Sequence, residues 1–282
     1  MLIIDDLGHR LREGRAVVAL AGKLNLAVLP HTPHGPALAQ EGYKAGKEIM
    51  LHAPMSNLAG MPLGQGGLTK TLSRATFESR LNKALQNVPH VRGINNHMGS
   101  ELTQLRAQMS WLMQSLREQG LYFVDSRTSA GTVAAQTATD FGVPNLSRKV
   151  FLDNDVEAGA IEENFQRLVS MVEEEGLAVG IGHPYPQTIR FLEKALPVLA
   201  CRGIRLAHVS EVLPNIGAVV PPPSLTGTGP FSKPDFDAPL GHVCFGLGYS
   251  VFPEMKNAGG KHCVSTTKNN AVDQVIEVAN TP

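Results

Sequence analysis

Over residues 1–213 the chain alternates short apolar runs with stretches whose apolar residues recur at helical spacing, the pattern of βα units around a largely parallel sheet. The runs predict strands at residues 2–4, 24–29, 48–51, 91–94, 121–124, 148–152, 177–181 and 204–207. Helices are expected at residues 7–21, 36–43, 102–119, 130–141, 158–175 and 188–200, with another opened by Ser73, whose oxygen can accept from orphan N–H groups. Residues 56–70 form a Gly/Leu/Met stretch without periodicity, too long for a simple connector and suited to a lid or binding loop. Seven or eight such units point to an α/β barrel, or a barrel with a gap, rather than an open doubly wound sheet.

The polar residues that end these runs carry the candidate chemistry. Ile3-Ile4 runs into Asp5-Asp6, Met50-Leu51 into His52, Gly93-Ile94 into Asn95-Asn96-His97, Phe123-Val124 into Asp125-Ser126-Arg127, and Ile181-Gly182 into His183. In a parallel sheet all five clusters meet at the carboxyl edge, where α/β folds place their sites. Neighbouring residues leaving a strand point to different sides, so one carboxylate of the Asp pair can bind a cation while the other acts as a base. The simpler alternative is a helix-capping pair. With His52 and His97, one Asp completes two imidazoles and a carboxylate, the donor set of a catalytic zinc site. His183, bracketed by glycines and prolines, can serve as a general acid, a further ligand or a structural residue. Asp125 can orient His183 or a ligating His, and Arg127 can hold an anion; an internal Asp125–Arg127 ion pair is the competing reading. His31 and His34 read as loop residues at the same rim, while Met98, Met109 and Met113 read as core.

Composition narrows the function classes. Hydrophobic residues make up 43% and charged residues 18%, enough to bury a substantial core. The formal net charge is zero, so a nucleic-acid partner is not expected. No run reaches the roughly 18 apolar residues of a membrane span, and the first residues lack a secretory signal pattern. Phosphate-cradling glycine motifs do not follow any strand, so nucleotide binding has no support. From residue 214 to 282 the composition turns to Pro, Gly, Ser, Thr and Asn, which suggests an irregular or disordered tail. Its His242, Cys244, His262 and Cys263 lack finger-like spacing and read as scattered residues.

In ordered combination, Ile3-Ile4-Asp5-Asp6-Leu7-Gly8, Leu51-His52-Ala53-Pro54-Met55, Gly93-Ile94-Asn95-Asn96-His97-Met98-Gly99-Ser100, Phe123-Val124-Asp125-Ser126-Arg127-Thr128 and Gly180-Ile181-Gly182-His183-Pro184-Tyr185 resemble the divergent polysaccharide deacetylase family. The resemblance implies a deformed (β/α) barrel of the NodB-homology type over residues 1–213, with seven or so parallel strands. It also implies a divalent metal, zinc, and removal of acetyl groups from a carbohydrate. Carried over, Asp5 would be the base and Asp6 a ligand, and His97 stands where the better-known members place a His-x-x-x-His pair. His52 is the candidate for the missing ligand by its strand-end position, and His183 for the acid. Asn95, Asn96, Asp125, Ser126 and Arg127 would contact substrate or support the site. Family members are usually exported, so the resemblance implies the periplasm or cell envelope if a segment precedes Met1. Two rival functions remain: a metallohydrolase acting on another ester or amide, and a non-catalytic barrel that binds a glycan or an envelope partner.

Overall fold

A computed structural model describes residues 1–213; the C-terminal segment, with its four Cys and His positions, lies outside the described residues. Eight parallel strands form one sheet: β1 (Leu2–Leu7), β2 (Asn25–Val28), β3 (Glu48–Met55), β4 (Val91–Met98), β5 (Tyr122–Asp125), β6 (Asn145–Ser147), β7 (Val150–Phe151) and β8 (Gly180–Gly182). Their order is β6-β5-β4-β3-β2-β1-β8-β7, so the two edge strands are joined in sequence by only Arg148 and Lys149. Three Cα steps span at most about 11 Å, and the sheet must therefore curl until its edges approach. Among the described residues no ladder continues between β6 and β7, which leaves a deformed barrel.

Side chains alternate across this curled sheet. Ile3, Ala27, Met50, Tyr122, Val124, Val179 and Ile181 fill the interior. Ile4, Leu26, Leu51, Ile94 and Phe123 face outward against the helix layer. That layer comprises α1 (Leu11–Ala19), α2 (Gly35–Lys44), α3 (Arg74–Asn87), α4 (Arg106–Glu118), α5 (Ala134–Asp140), α6 (Ala158–Glu175) and α7 (Pro186–Ala195). Each fully buried Leu, Ile or Phe in it contributes roughly 1.5–3 kcal/mol. At α3 the Ser73 Oγ accepts from Thr76 N at 3.3 Å, the expected N-cap.

Three expectations change. Residues 148–152 do not form one strand: Arg148 N bonds Asp125 O at 2.9 Å, whereas Lys149 N bonds Val179 O at 2.8 Å, so the chain changes neighbours within this dipeptide. Residues 204–207 are not a strand: among the described residues they pair with neither edge of the sheet. That segment instead crosses the amino-terminal end of the barrel to α8 (Val209–Val212), whose Val209 plugs the interior. Asn25 Oδ1 accepts from Val209 N, and Glu48 Oε1 accepts from both Tyr122 Oη and Ser210 N, each at 2.8–2.9 Å. Finally, α1 begins at Leu11, later than expected, because β1 runs on to Leu7.

Candidate metal centre

The inward register that fills the barrel interior also builds the site. Two residues past Ile3, Met50, Gly93, Val124 and Ile181 stand Asp5, His52, Asn95, Ser126 and His183, on the same face and one layer nearer the carboxyl edge. Strands β3 and β4 extend beyond their expected ends, so His52 lies within a strand and His97, two past Asn95, follows the same parity. Gly93 is required below: a Cβ there would lie 2.2 Å from the Tyr122 ring. Asp6 should face away from Asp5, but its φ is +56° and the β1–β2 register shifts there, which turns its carboxylate back over the barrel. Non-glycine residues are also held at positive φ at Met98, the last residue of β4, and at Arg127, two residues past β5, the kind of local strain found at functional sites.

Three donor atoms converge here. Asp6 Oδ1 lies 2.8 Å from His97 Nδ1 and 3.2 Å from His52 Nε2, and the two ring nitrogens are 3.1 Å apart. A tetrahedral ion with bonds of about 2.0–2.1 Å holds neighbouring ligand atoms about 3.3 Å apart, so this triangle is slightly contracted from a zinc ligand set. Despite its close neighbours, Asp6 Oδ1 is buried and makes no hydrogen bond of good geometry among the described residues. His52 Nδ1 donates to Asn95 Oδ1 at 2.8 Å, which leaves the Nε2 lone pair aimed into the triangle. A buried orphan oxygen facing two imidazole nitrogens is the arrangement a cation satisfies, and these residues fit a divalent metal. Burial alone would raise the Asp6 carboxyl, but the facing imidazoles hold it well below the usual carboxylate range.

Asp5 sits beneath the triangle, buried, with Oδ2 3.6 Å from His52 Nε2 and Oδ1 accepting from Asn95 Nδ2 at 2.8 Å. Burial pushes its carboxyl up against the opposing pull of His52, His183 and Asn95.

The same sequence segments match known proteins. A family model described as "Divergent polysaccharide deacetylase" aligns with residues 2–213, the whole of the barrel. The chain belongs to the divergent polysaccharide deacetylase family. The chain is 35% identical over 231 residues to the uncharacterized protein YibQ of Escherichia coli K12, covering 81% of this chain and 72% of YibQ. An uncharacterized protein of Haemophilus influenzae is 34% identical over 222 residues, 79% of each chain. The fold also superposes on the crystal structure of an uncharacterized protein from Agrobacterium tumefaciens C58 with a TM-score of 0.72 at 20% identity, covering 74% of this chain and 87% of that one.

On this family scaffold the remaining sequence candidates take different places. His183 is held by Asp153: its Nδ1 lies 2.8 Å from Oδ1 and its backbone N donates to Oδ2 at 2.7 Å, while Thr188 Oγ1 also donates to Oδ2. Burial would lower the imidazole, but the Asp153 bond and the charges of Asp5, Asp153 and Asp6 push it up to about 9. The orienting carboxylate is therefore Asp153, not Asp125. Asp125 accepts instead from Arg127 N and Thr132 Oγ1 at 2.8 and 2.9 Å. Arg127 is exposed, and its guanidinium forms no ion pair with Asp125 among the described residues. Ser126 Oγ lies 3.4 Å from Asn95 Nδ2, whereas Asn96 faces the other way and pins residues 126–128 through Ser126 N and Thr128 Oγ1. Arg148 lay outside the sequence candidates; its Nε donates to Ser126 O at 2.6 Å and its guanidinium covers Phe151 at 3.7 Å from the ring centroid. Asp153 was detectable in the sequence, because it stands two residues past the inward Phe151.

Proposed function

We propose that this protein is a metal-dependent hydrolase that removes acetyl groups from a glycan. The observation that carries this reading is the mutual approach, within 3.2 Å, of Asp6 Oδ1, His52 Nε2 and His97 Nδ1, with Asp5 below them. Family membership supports a carbohydrate substrate. Asp6, His52 and His97 would hold a divalent metal, with zinc the choice that two imidazoles and a carboxylate favour. When bound, the ion supplies positive charge that polarises the acetyl carbonyl and eases deprotonation of water near neutral pH.

The chain's own residues then divide the proton work. Asp5, fixed by Asn95, takes a proton from the water as its oxygen bonds to the acetyl carbon. His183, held by Asp153, whose bond raises the imidazole's proton affinity, gives a proton to the sugar nitrogen or oxygen as its bond to the acetyl carbon breaks. Acetate and the free amine or alcohol leave, and proton exchange with water restores Asp5 and His183. The rings of Phe151 and Tyr185, 6.0 and 5.7 Å from that of His183, wall this side of the site.

Acetate release from acetylated oligosaccharides by zinc-supplemented protein tests the proposal. Asp5→Asn is expected to lose about 10²–10⁴-fold in rate while keeping its metal. Undiminished release in Asp5→Asn contradicts the base assignment. Saturable glycan binding by zinc-loaded wild type without acetate release favours the non-catalytic barrel.

A further inference from the structure

On the β2–β3 side of the rim that carries the candidate metal centre lies a concavity of about 540 Å³. Its wall is the segment Leu63–Gly67, part of the aperiodic stretch after β3, and its other side is α3 with Arg80 and Lys83, and His31 after β2. The segment is anchored to the site: Leu68 N donates to Pro54 O at 2.8 Å, and Pro54 is the register partner of His97. Gly66 is held at φ +85°, and a Cβ there would lie 3.0 Å from the His31 ring, so the wall facing His31 is bare backbone at this position.

The charge of this concavity is one-sided. Arg80 and Lys83, one helical turn apart on α3, both line it, and among the described residues its lining contains no carboxylate. Arg80 Nη1 donates to Gly67 O at 2.8 Å, which fixes a half-buried guanidinium and leaves further donors for a ligand. Among the described residues neither Arg80 nor Lys83 forms an ion pair, although other exposed cations, such as Arg15, Lys70, Arg74 and Lys149, do. A partly desolvated guanidinium beside an ammonium and a glycine-rich backbone wall is chemistry for an oxyanion.

We propose that this concavity is an anion subsite that holds an acidic group, a carboxylate or phosphate, on a glycan whose acetyl group lies at the metal centre. The substrate class is then an acidic acetylated glycan, an inference that rests on the deacetylase reading for its setting but not for its test.

The experiment is an NMR titration of the full chain with glucuronate, inorganic phosphate and glucose at constant ionic strength. Both anions, but not glucose, are expected to give saturable shifts at the Gly66 and Gly67 amides and at Arg80 Nε. Affinity should fall about tenfold or more in the double variant Arg80→Gln/Lys83→Gln. Lys83→Glu, at an exposed position that the fold does not use, should weaken both anions independently. A tetrasaccharide of alternating N-acetylglucosamine and glucuronate should bind more tightly than chitotetraose, and the double variant should lose the difference. Absent shifts, shifts unchanged in the variants, or equal binding of the two tetrasaccharides overturn the proposal; phosphate binding without glucuronate binding overturns the glycan acid as occupant. None of these readouts needs turnover, so anion binding with no acetate release contradicts the deacetylase reading alone.

Discussion

Asn95 joins the two working halves of the site, accepting from His52 Nδ1 and donating to Asp5 Oδ1, each at 2.8 Å. Removing its amide frees the His52 ring to change tautomer and leaves Asp5 without its buried donor. Asn95→Ala is expected to weaken zinc binding by about 10–100-fold, measured by competition with a chelator, while Asp125→Asn leaves it unchanged. Equal affinity in wild type and Asn95→Ala would contradict the orienting role. His183 offers a second test in the metal-free protein. Its raised titration means that the stabilisation from its protonated form is complete below 6.5 and is lost as pH rises to about 9. That loss is on the order of 3 kcal/mol. Asp153→Asn should lower the imidazole titration seen by NMR and flatten the alkaline decline of stability; an unchanged titration would show that Asp153 does not set it. At this scale the sequence showed Asp5, Asp6, His52, His97 and His183 because each ends an apolar run. It concealed the turn of Asp6 into the site, which depends on a backbone φ of +56° that no residue type announces.

Among the elements, the strands outrun their apolar runs. The apolar runs of β3 and β4 end at His52 and Asn95, yet both strands continue to Met55 and Met98. In a barrel the upper inner layer is polar where the site lies, so polarity there marks the inward face and not the end of the ladder. Applied from Phe151, the same inward parity points to Asp153, although residues 148–152 were expected as one strand. β6 spans only three half-buried residues, Asn145–Ser147, too short and polar to register as an apolar run. Lower in the barrel the constraint is steric. Gly93→Val would drive side-chain atoms into the buried Tyr122 ring. It is expected to cost about 1–3 kcal/mol in urea unfolding, and an unchanged midpoint would contradict the packed interior described.

For the whole molecule, two features divide the labour. One end is closed by Val209 and fastened through Asn25 and Glu48, and the other carries the chemistry. Parallel strands and helical spacing made the α/β barrel legible in the sequence, and the five strand-end clusters marked the rim that carries the candidate site. Strand order and the meeting of the edges through Arg148 and Lys149 were not legible, because they depend on pairings between segments far apart in the chain. We propose that Asp6 from β1, His52 from β3 and His97 from β4 together hold one divalent ion at that rim. Elemental analysis of zinc-loaded, dialysed protein tests it most directly, comparing wild type and Asp5→Asn with His52→Ala and His97→Ala. The account predicts stoichiometric zinc in the first two and its loss in both histidine variants; stoichiometric zinc retained in both histidine variants would contradict it.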